Sequence, residues 1–240
     1  MINLLLAFLV PIFLFSSPLE ELLKLFDIPP AELVEGTQRL WLQQGKERWQ
    51  YEKRYEQLRP QVWPLFDELG MLQEVKPTKT HYNTVLIFGA LLSRVQDRVD
   101  YLVATGVTFD QLVFLTGERP LLASEKEQLP GLATESEMAK WVYQNAALSK
   151  QIPVLFIDVP MKGAQRPNTL DTVVAWLDTA PLPSSCLAIS NQPYVHYQGA
   201  ILDRYVPFDV EMVGPSVLGD PSVDLMLDTL ARELYYKYGE

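Results

Sequence analysis

From Asn83 onward the sequence predicts a doubly wound, Rossmann-like α/β domain built on a parallel sheet, preceded by a helical N-terminal extension. Two observations predict it. Short β-branched runs recur at 84–88, 112–116, 154–159, 187–190 and 210–213, and helix-length segments follow or separate them at about 91–105, 134–149, 169–179, 193–204 and 221–238. That alternation is the pattern of repeated β-α units. The runs are also apolar almost throughout, as strands must be when helices cover both faces of a sheet.

Composition sets the outer limits. A chain of 240 residues, 48% hydrophobic and 21% charged, is neither disordered nor fibrous. It is long enough to bury roughly 70–75% of its unfolded surface without a metal or disulfide. The single cysteine, Cys186, excludes an intrachain disulfide framework, and it reads as a small buried side chain at the start of a strand. Two histidines, His81 and His196, leave little for a multi-histidine metal centre, so no metal is expected. The formal charge is -10. Most of it lies in residues 81–240, with 11 basic against 19 acidic, whereas residues 1–80 carry 9 and 11. This balance argues against nucleic acid or an anionic lipid surface as a nonspecific partner, although a local basic patch remains compatible with it.

Along the chain, residues 1–17 form an uncharged apolar run closed by Ser16-Ser17. Its length suits a signal-peptide core and falls short of the ~20 residues of a spanning helix. It lacks a preceding Lys or Arg and an A-x-A-like cleavage site. Export or membrane association through this segment is one expectation; a buried helix of a cytoplasmic protein is the other. Residues 18–82 read as the helical extension. After Pro29-Pro30, a helix is expected from about Ala31 to Arg59, with a stripe including Leu42, Trp49, Tyr51, Tyr55 and Leu58 facing the core. Lys46, Arg48, Lys53, Arg54 and Arg59 then read as a solvated face paired with Glu47, Glu52 and Glu56. Residues 83–240 form the α/β domain.

In an open parallel sheet, ligands bind beyond the carboxyl ends of the strands. That rule selects Gly89 and Arg94 after the first strand, Gly117 after the second, Arg166, Asn168 and Thr169 after the third, and Ser190 and Asn191 after the fourth. Arg94 and Arg98 are one turn apart, so one is expected at the ligand edge and the other in solvent. Asn168 also suits a helix cap, and Thr134 with Glu137 forms a T-x-x-E capping box, so either pair has a purely structural role available. His196 is the candidate acid or base, because an imidazole titrates near neutrality. Neither G-x-G-x-x-G nor a P-loop occurs, and no G-x-S-x-G elbow supports a hydrolase serine.

Taken in order, Gly89 with Arg94, Thr116-Gly117, Glu137, Asn168-Thr169, and Ser190 followed by His196 and Ala200 resemble the SanA/YdcF/ElyC-like group of bacterial α/β proteins. The chain departs from that pattern at Ala90, Thr172 and Gly199, the last standing where the group has an arginine. The resemblance implies an envelope-related role, an N-terminal membrane segment and, for some members, S-adenosylmethionine binding. Two functions are therefore expected. One is a protein, enzymatic or not, that binds a small anionic or nucleotide-like ligand through Gly89, Arg94, Gly117, Glu137, Asn168, Thr169, Ser190 and Asn191, with His196 as the catalytic residue. The other is a scaffold that keeps the fold with a degenerate site.

Overall fold

The strands are where the apolar runs place them. A computed structural model describes residues 17–179 and 183–239, with the backbone alone at Trp49. The apolar N-terminal run lies outside the described residues up to Ser16. Five parallel strands, β1 (His81–Phe88), β2 (Thr108–Gly117), β3 (Val154–Val159), β4 (Cys186–Ile189) and β5 (Val210–Val213), pair in the order β3-β2-β1-β4-β5. This is a doubly wound sheet whose winding reverses between β1 and β4, which places the ligand crevice there by topology alone.

The central strands β2, β1 and β4 bury both faces, whereas the edge strands β3 and β5 are partly covered. Val85 and Ile87 of β1 join Phe114 of β2 in a core with helices α4 (Leu92–Thr105) and α6 (Glu135–Asn145). Leu86 and Phe88 point the other way, into a core with α7 (Thr169–Leu177) and α8 (Val195–Tyr205), where Trp176 is buried. A period of two in a strand produces this division. Gly106, at φ 67°, ends α4 in the left-handed conformation that favours glycine. A short helix, α5 (Ala123–Gln128), follows β2; its six residues carry too little periodicity to announce it in the sequence.

The extension departs from its expected form. Helix α1 (Pro18–Leu25) begins with a Ser17–Glu20 capping box, and α2 covers only Leu33–Trp41. Leu42 is extended, and residues 43–58 form loops and two single 3₁₀ turns before α3 (Arg59–Glu68). Phe26 meets both Trp41 and Tyr55 edge to face, so Tyr55 reaches a core from a loop and needs no continuous helix to do so. These elements share a third core with the C-terminal helix α9 (Val223–Tyr238), centred on Trp41, Phe66, Met226 and Leu230. Two backbone hydrogen bonds between Val75 and Gly214 add a further tie, so the extension packs as part of one body with the end of the chain. Among the described residues no helix is long and apolar enough to cross a membrane.

Candidate functional site

A cavity of about 660 Å³ opens at the carboxyl ends of the strands, where the switch in winding predicts it. Its floor is Phe88-Gly89-Ala90 and Gly117, one wall is Arg166 to Thr169 with Tyr194, Tyr197 and Gln198, and the irregular stretch Gly45–Arg48 of the extension closes another side. The glycines permit close approach. A Cβ on Gly117 would meet Pro167 at 2.2 Å, and one on Gly89 would meet Oε1 of Glu135 at 2.0 Å and the Leu115 carbonyl at 2.9 Å. The Leu115 carbonyl is backbone and cannot swing away. Gly89→Ala is therefore expected to lower stability by about 1–3 kcal/mol, as overpacked sites do. Urea denaturation checks this, and a loss below 0.5 kcal/mol (about twofold) would contradict the close contact.

The lining is strongly basic in a chain of net charge -10. Lys46, Arg48, Arg94 and Arg98 contribute, as do Arg119, Arg166 and Arg232, against the carboxylates of Glu47 and Glu135. Several of these cations are neutralised locally. Arg232 pairs with buried Asp228 at 2.8 Å, and Arg166 with Glu47 at 2.7 Å. Arg119 is held by Glu125 at 2.9 Å and Glu135 at 2.8 Å. Burial works against the Arg119 charge, but the two carboxylates outweigh it and raise its pKa.

Arg98 is different. It is 2% exposed and has no carboxylate partner among the described residues. Its Nε donates to Oδ1 of Asn191 at 2.6 Å, and its Nη1 donates to the carbonyls of Phe88 and Gly89 at 2.5 and 3.0 Å. Nη2 has no protein acceptor among the described residues, on a side chain that lines the cavity. Burial holds its pKa down to about 10, against the pull of Tyr194 and Glu135 and with a smaller push from the charges of Arg94 and Arg48. The cation is thus fixed by neutral acceptors and has no ion-pair partner among the described residues. Arg48 also lacks a carboxylate partner among the described residues; its guanidinium lies 4.4 Å from the centre of the Tyr194 ring and 5.8 Å from that of Tyr197.

No family model, curated protein or solved structure matches this chain. The site's chemistry must therefore be read from its own atoms.

The strand-edge rule located much of it. Gly89, Arg94, Gly117, Asn168 and Thr169 all line the cavity. Ser190 and Asn191 lie one layer behind. Asn191 orients Arg98, and the Ser190 hydroxyl donates to Oε1 of Gln198, which does reach the lining. Asn168 faces the cavity while its side chain caps α7, accepting from the Asp171 N–H at 3.1 Å. Arg94 and Arg98 both line the cavity, correcting the division of one to ligand and one to solvent. Arg48 is corrected too, from a solvated helix face to the cavity wall.

Two expected residues lie elsewhere. Glu137 accepts from the N–H groups of Ala133 at 2.6 Å and Thr134 at 3.1 Å, which is the capping role its motif suggested. The carboxyl that lines the cavity is Glu135, 8% exposed, two positions earlier at the first turn of α6. His196 is not part of the lining; it sits half-buried beside Gly70 at the end of α3. Gly199 packs toward Met212 of β5, so an arginine there would not point into this cavity. Arg119, two residues beyond the end of β2 in the strand-end segment 116–119 that the rule selects, lines the cavity as well. Sequence reasoning missed Tyr194 and Tyr197 as site residues.

Chemically, the cavity offers fixed cations, the N-termini of α4 and α7, tyrosine rings and one buried carboxyl. Such a set binds an anion and can stack a planar group.

Proposed function

We propose that this chain is a divergent SanA/YdcF/ElyC-like protein that binds a small anionic or nucleotide-like ligand at the carboxyl edge of its sheet. The observation that carries the reading is Arg98, a buried guanidinium held by neutral acceptors whose Nη2, beside the cavity, has no acceptor among the described residues. A buried cation costs several kcal/mol unless something pairs with it, and a phosphate or carboxylate would do so. Arg48 with Tyr194 and Tyr197 supports the nucleotide-like part, because a base or other flat group gains from such a wall. S-adenosylmethionine fits less well, since its sulfonium and ammonium groups are cations facing an excess of arginines. An envelope setting rests on the family resemblance and the apolar N-terminal run alone.

Thermal shift and calorimetry test this with inorganic phosphate, nucleoside mono- and diphosphates, sugar phosphates and S-adenosylmethionine. Phosphate-bearing compounds are expected to bind and raise the melting temperature, since a ligand at 100 times its Kd stabilises by about 2.7 kcal/mol. Binding should weaken with salt. His196→Asn and Glu137→Gln should leave these affinities within about twofold, because neither residue lines the cavity. Failure of every anion to bind overturns the reading.

A further inference from the structure

We infer that Glu135 is the acid–base residue of this cleft and that the protein hydrolyses phosphate esters, an inference that rests on the reading of the cleft as an anion site.

The argument begins with the sharing of Arg119 by two carboxyls. Glu125 accepts four hydrogen bonds: from the N–H groups of Leu92 at 2.9 Å and Leu122 at 2.8 Å, and from Nη1 and Nη2 of Arg119 at 2.9 and 3.1 Å. Glu135 accepts one, from Nε of Arg119 at 2.8 Å, on Oε2. A single guanidinium does not fully compensate two buried carboxylates, and the one that accepts more hydrogen bonds keeps its charge. Glu125 is accordingly ionised, its pKa lowered by Arg119 and the two backbone donors against the effect of burial. Of the two, Glu135 is the one placed to take a proton, since it accepts a single hydrogen bond.

The geometry places that proton in the cavity. Oε1 of Glu135 has no protein partner among the described residues and lies over Gly89, on the same lining as Arg98. Oε2 is pinned by Arg119, so the carboxyl presents a fixed free edge. The charged groups around it are Arg119 at the end of β2, Glu125 of α5 through that arginine, Arg98 and Arg94 of α4, and Arg166 with Glu47 across the cavity. Burial raises the Glu135 pKa and outweighs the opposing pull of Arg119, Arg166 and Arg98. A proton-bearing carboxyl beside fixed cations is the pairing that ester cleavage at an anion needs: cations for the phosphoryl oxygens, an acid for the leaving oxygen. The described lining contains no Ser, Cys, Asp or His, Thr172 donates its hydroxyl to the Thr169 carbonyl, and no base reaches the Thr169 hydroxyl, which accepts from the Gln198 amide at 3.3 Å. The step is accordingly written with water as the attacking group.

In the step, a water oxygen bonds to phosphorus while the phosphorus–oxygen ester bond breaks. The electron pair of that bond leaves with the alcohol oxygen, which takes the Glu135 proton. The attacking water gives up a proton to solvent, and Glu135 recovers one from solvent. Ester and water become alcohol and inorganic phosphate, with no oxidant, reductant or group carrier required.

The test measures phosphate release by the full chain from glycerol phosphate, whose alkoxide leaves poorly, and from para-nitrophenyl phosphate, whose leaving group needs little protonation. Both esters should be hydrolysed. Glu135→Gln should lower kcat for glycerol phosphate by about 10²–10⁴-fold and that for the nitrophenyl ester far less, while inorganic phosphate still binds. Because the acid form acts, wild-type kcat for glycerol phosphate should fall as pH rises through the Glu135 titration, and Glu135→Gln should lose that limb. Glu137→Gln should behave as wild type. The inference is overturned if inorganic phosphate binds but neither ester is cleaved, or if Glu135→Gln depresses both esters equally. If inorganic phosphate does not bind at all, the anion-site reading falls first and this inference with it.

Discussion

Arg98→Met is expected to weaken binding of inorganic phosphate roughly 100-fold, or about 2.7 kcal/mol, while changing folding stability by less than about 2 kcal/mol. The two numbers differ because opposite effects meet at this residue. The folded protein carries the desolvation cost of a cation that is 2% exposed, and methionine removes that cost. It also strips donors from Oδ1 of Asn191 and the carbonyls of Phe88 and Gly89, each an acceptor that burial leaves without water. The gain and the loss offset in folding, but binding keeps only the loss. Arg98→Lys should fall between, because an ammonium keeps the charge without the fork that reaches three acceptors and a ligand at once. Calorimetry with phosphate, paired with urea denaturation, separates the two quantities. An affinity within threefold of wild type would remove Arg98 from the site (threefold is about 0.6 kcal/mol).

Legibility in the sequence followed the range of the interactions involved. Strands covered by helices announce themselves by local apolar composition, so all five apolar runs became strands, and the strand-edge rule then reached Gly89, Arg94, Gly117, Asn168 and Thr169. What remained hidden depends on which way a side chain points. Glu135 and Glu137 are two positions apart, about 200° around a helix, so one enters the cavity while the other caps the helix start. His196 is lost for the same reason, since Tyr194, Tyr197 and Gln198 occupy the cavity side of the turn it belongs to. The basic character of the cavity was invisible in a chain of net charge -10. Its cations come from separate segments near 46–48, 94–98, 119, 166 and 232, and no sequence window contains the cluster.

The same long-range logic predicts the largest loss of stability. Asp224→Ala is expected to destabilise the fold by about 3 kcal/mol. Asp224 is fully buried in the first turn of α9, where an acid is also favoured by the helix N-terminus. Its Oδ1 accepts from Nε of Arg54 at 3.0 Å and Nε2 of Gln43 at 3.2 Å, and its Oδ2 from the Tyr55 N–H at 2.9 Å. Alanine leaves the Gln43 amide and the Tyr55 N–H with unmet donors. Arg54 loses less, because its side chain is 33% exposed and can turn to water. For a chain of this size, 3 kcal/mol corresponds to a melting shift of roughly 6–12 °C. The consequence reaches the cavity as well. Residues 43–55 have little regular structure of their own, so Asp224 fixes the stretch that carries Arg48 and Tyr51 into the lining. Asp224→Ala should therefore weaken a nucleoside phosphate, which meets that wall, more than inorganic phosphate, which needs only Arg98. Equal weakening of both ligands would show that residues 43–55 hold their place without this carboxylate. A stability loss below 1 kcal/mol (about fivefold) would show that its three hydrogen bonds do not anchor the extension.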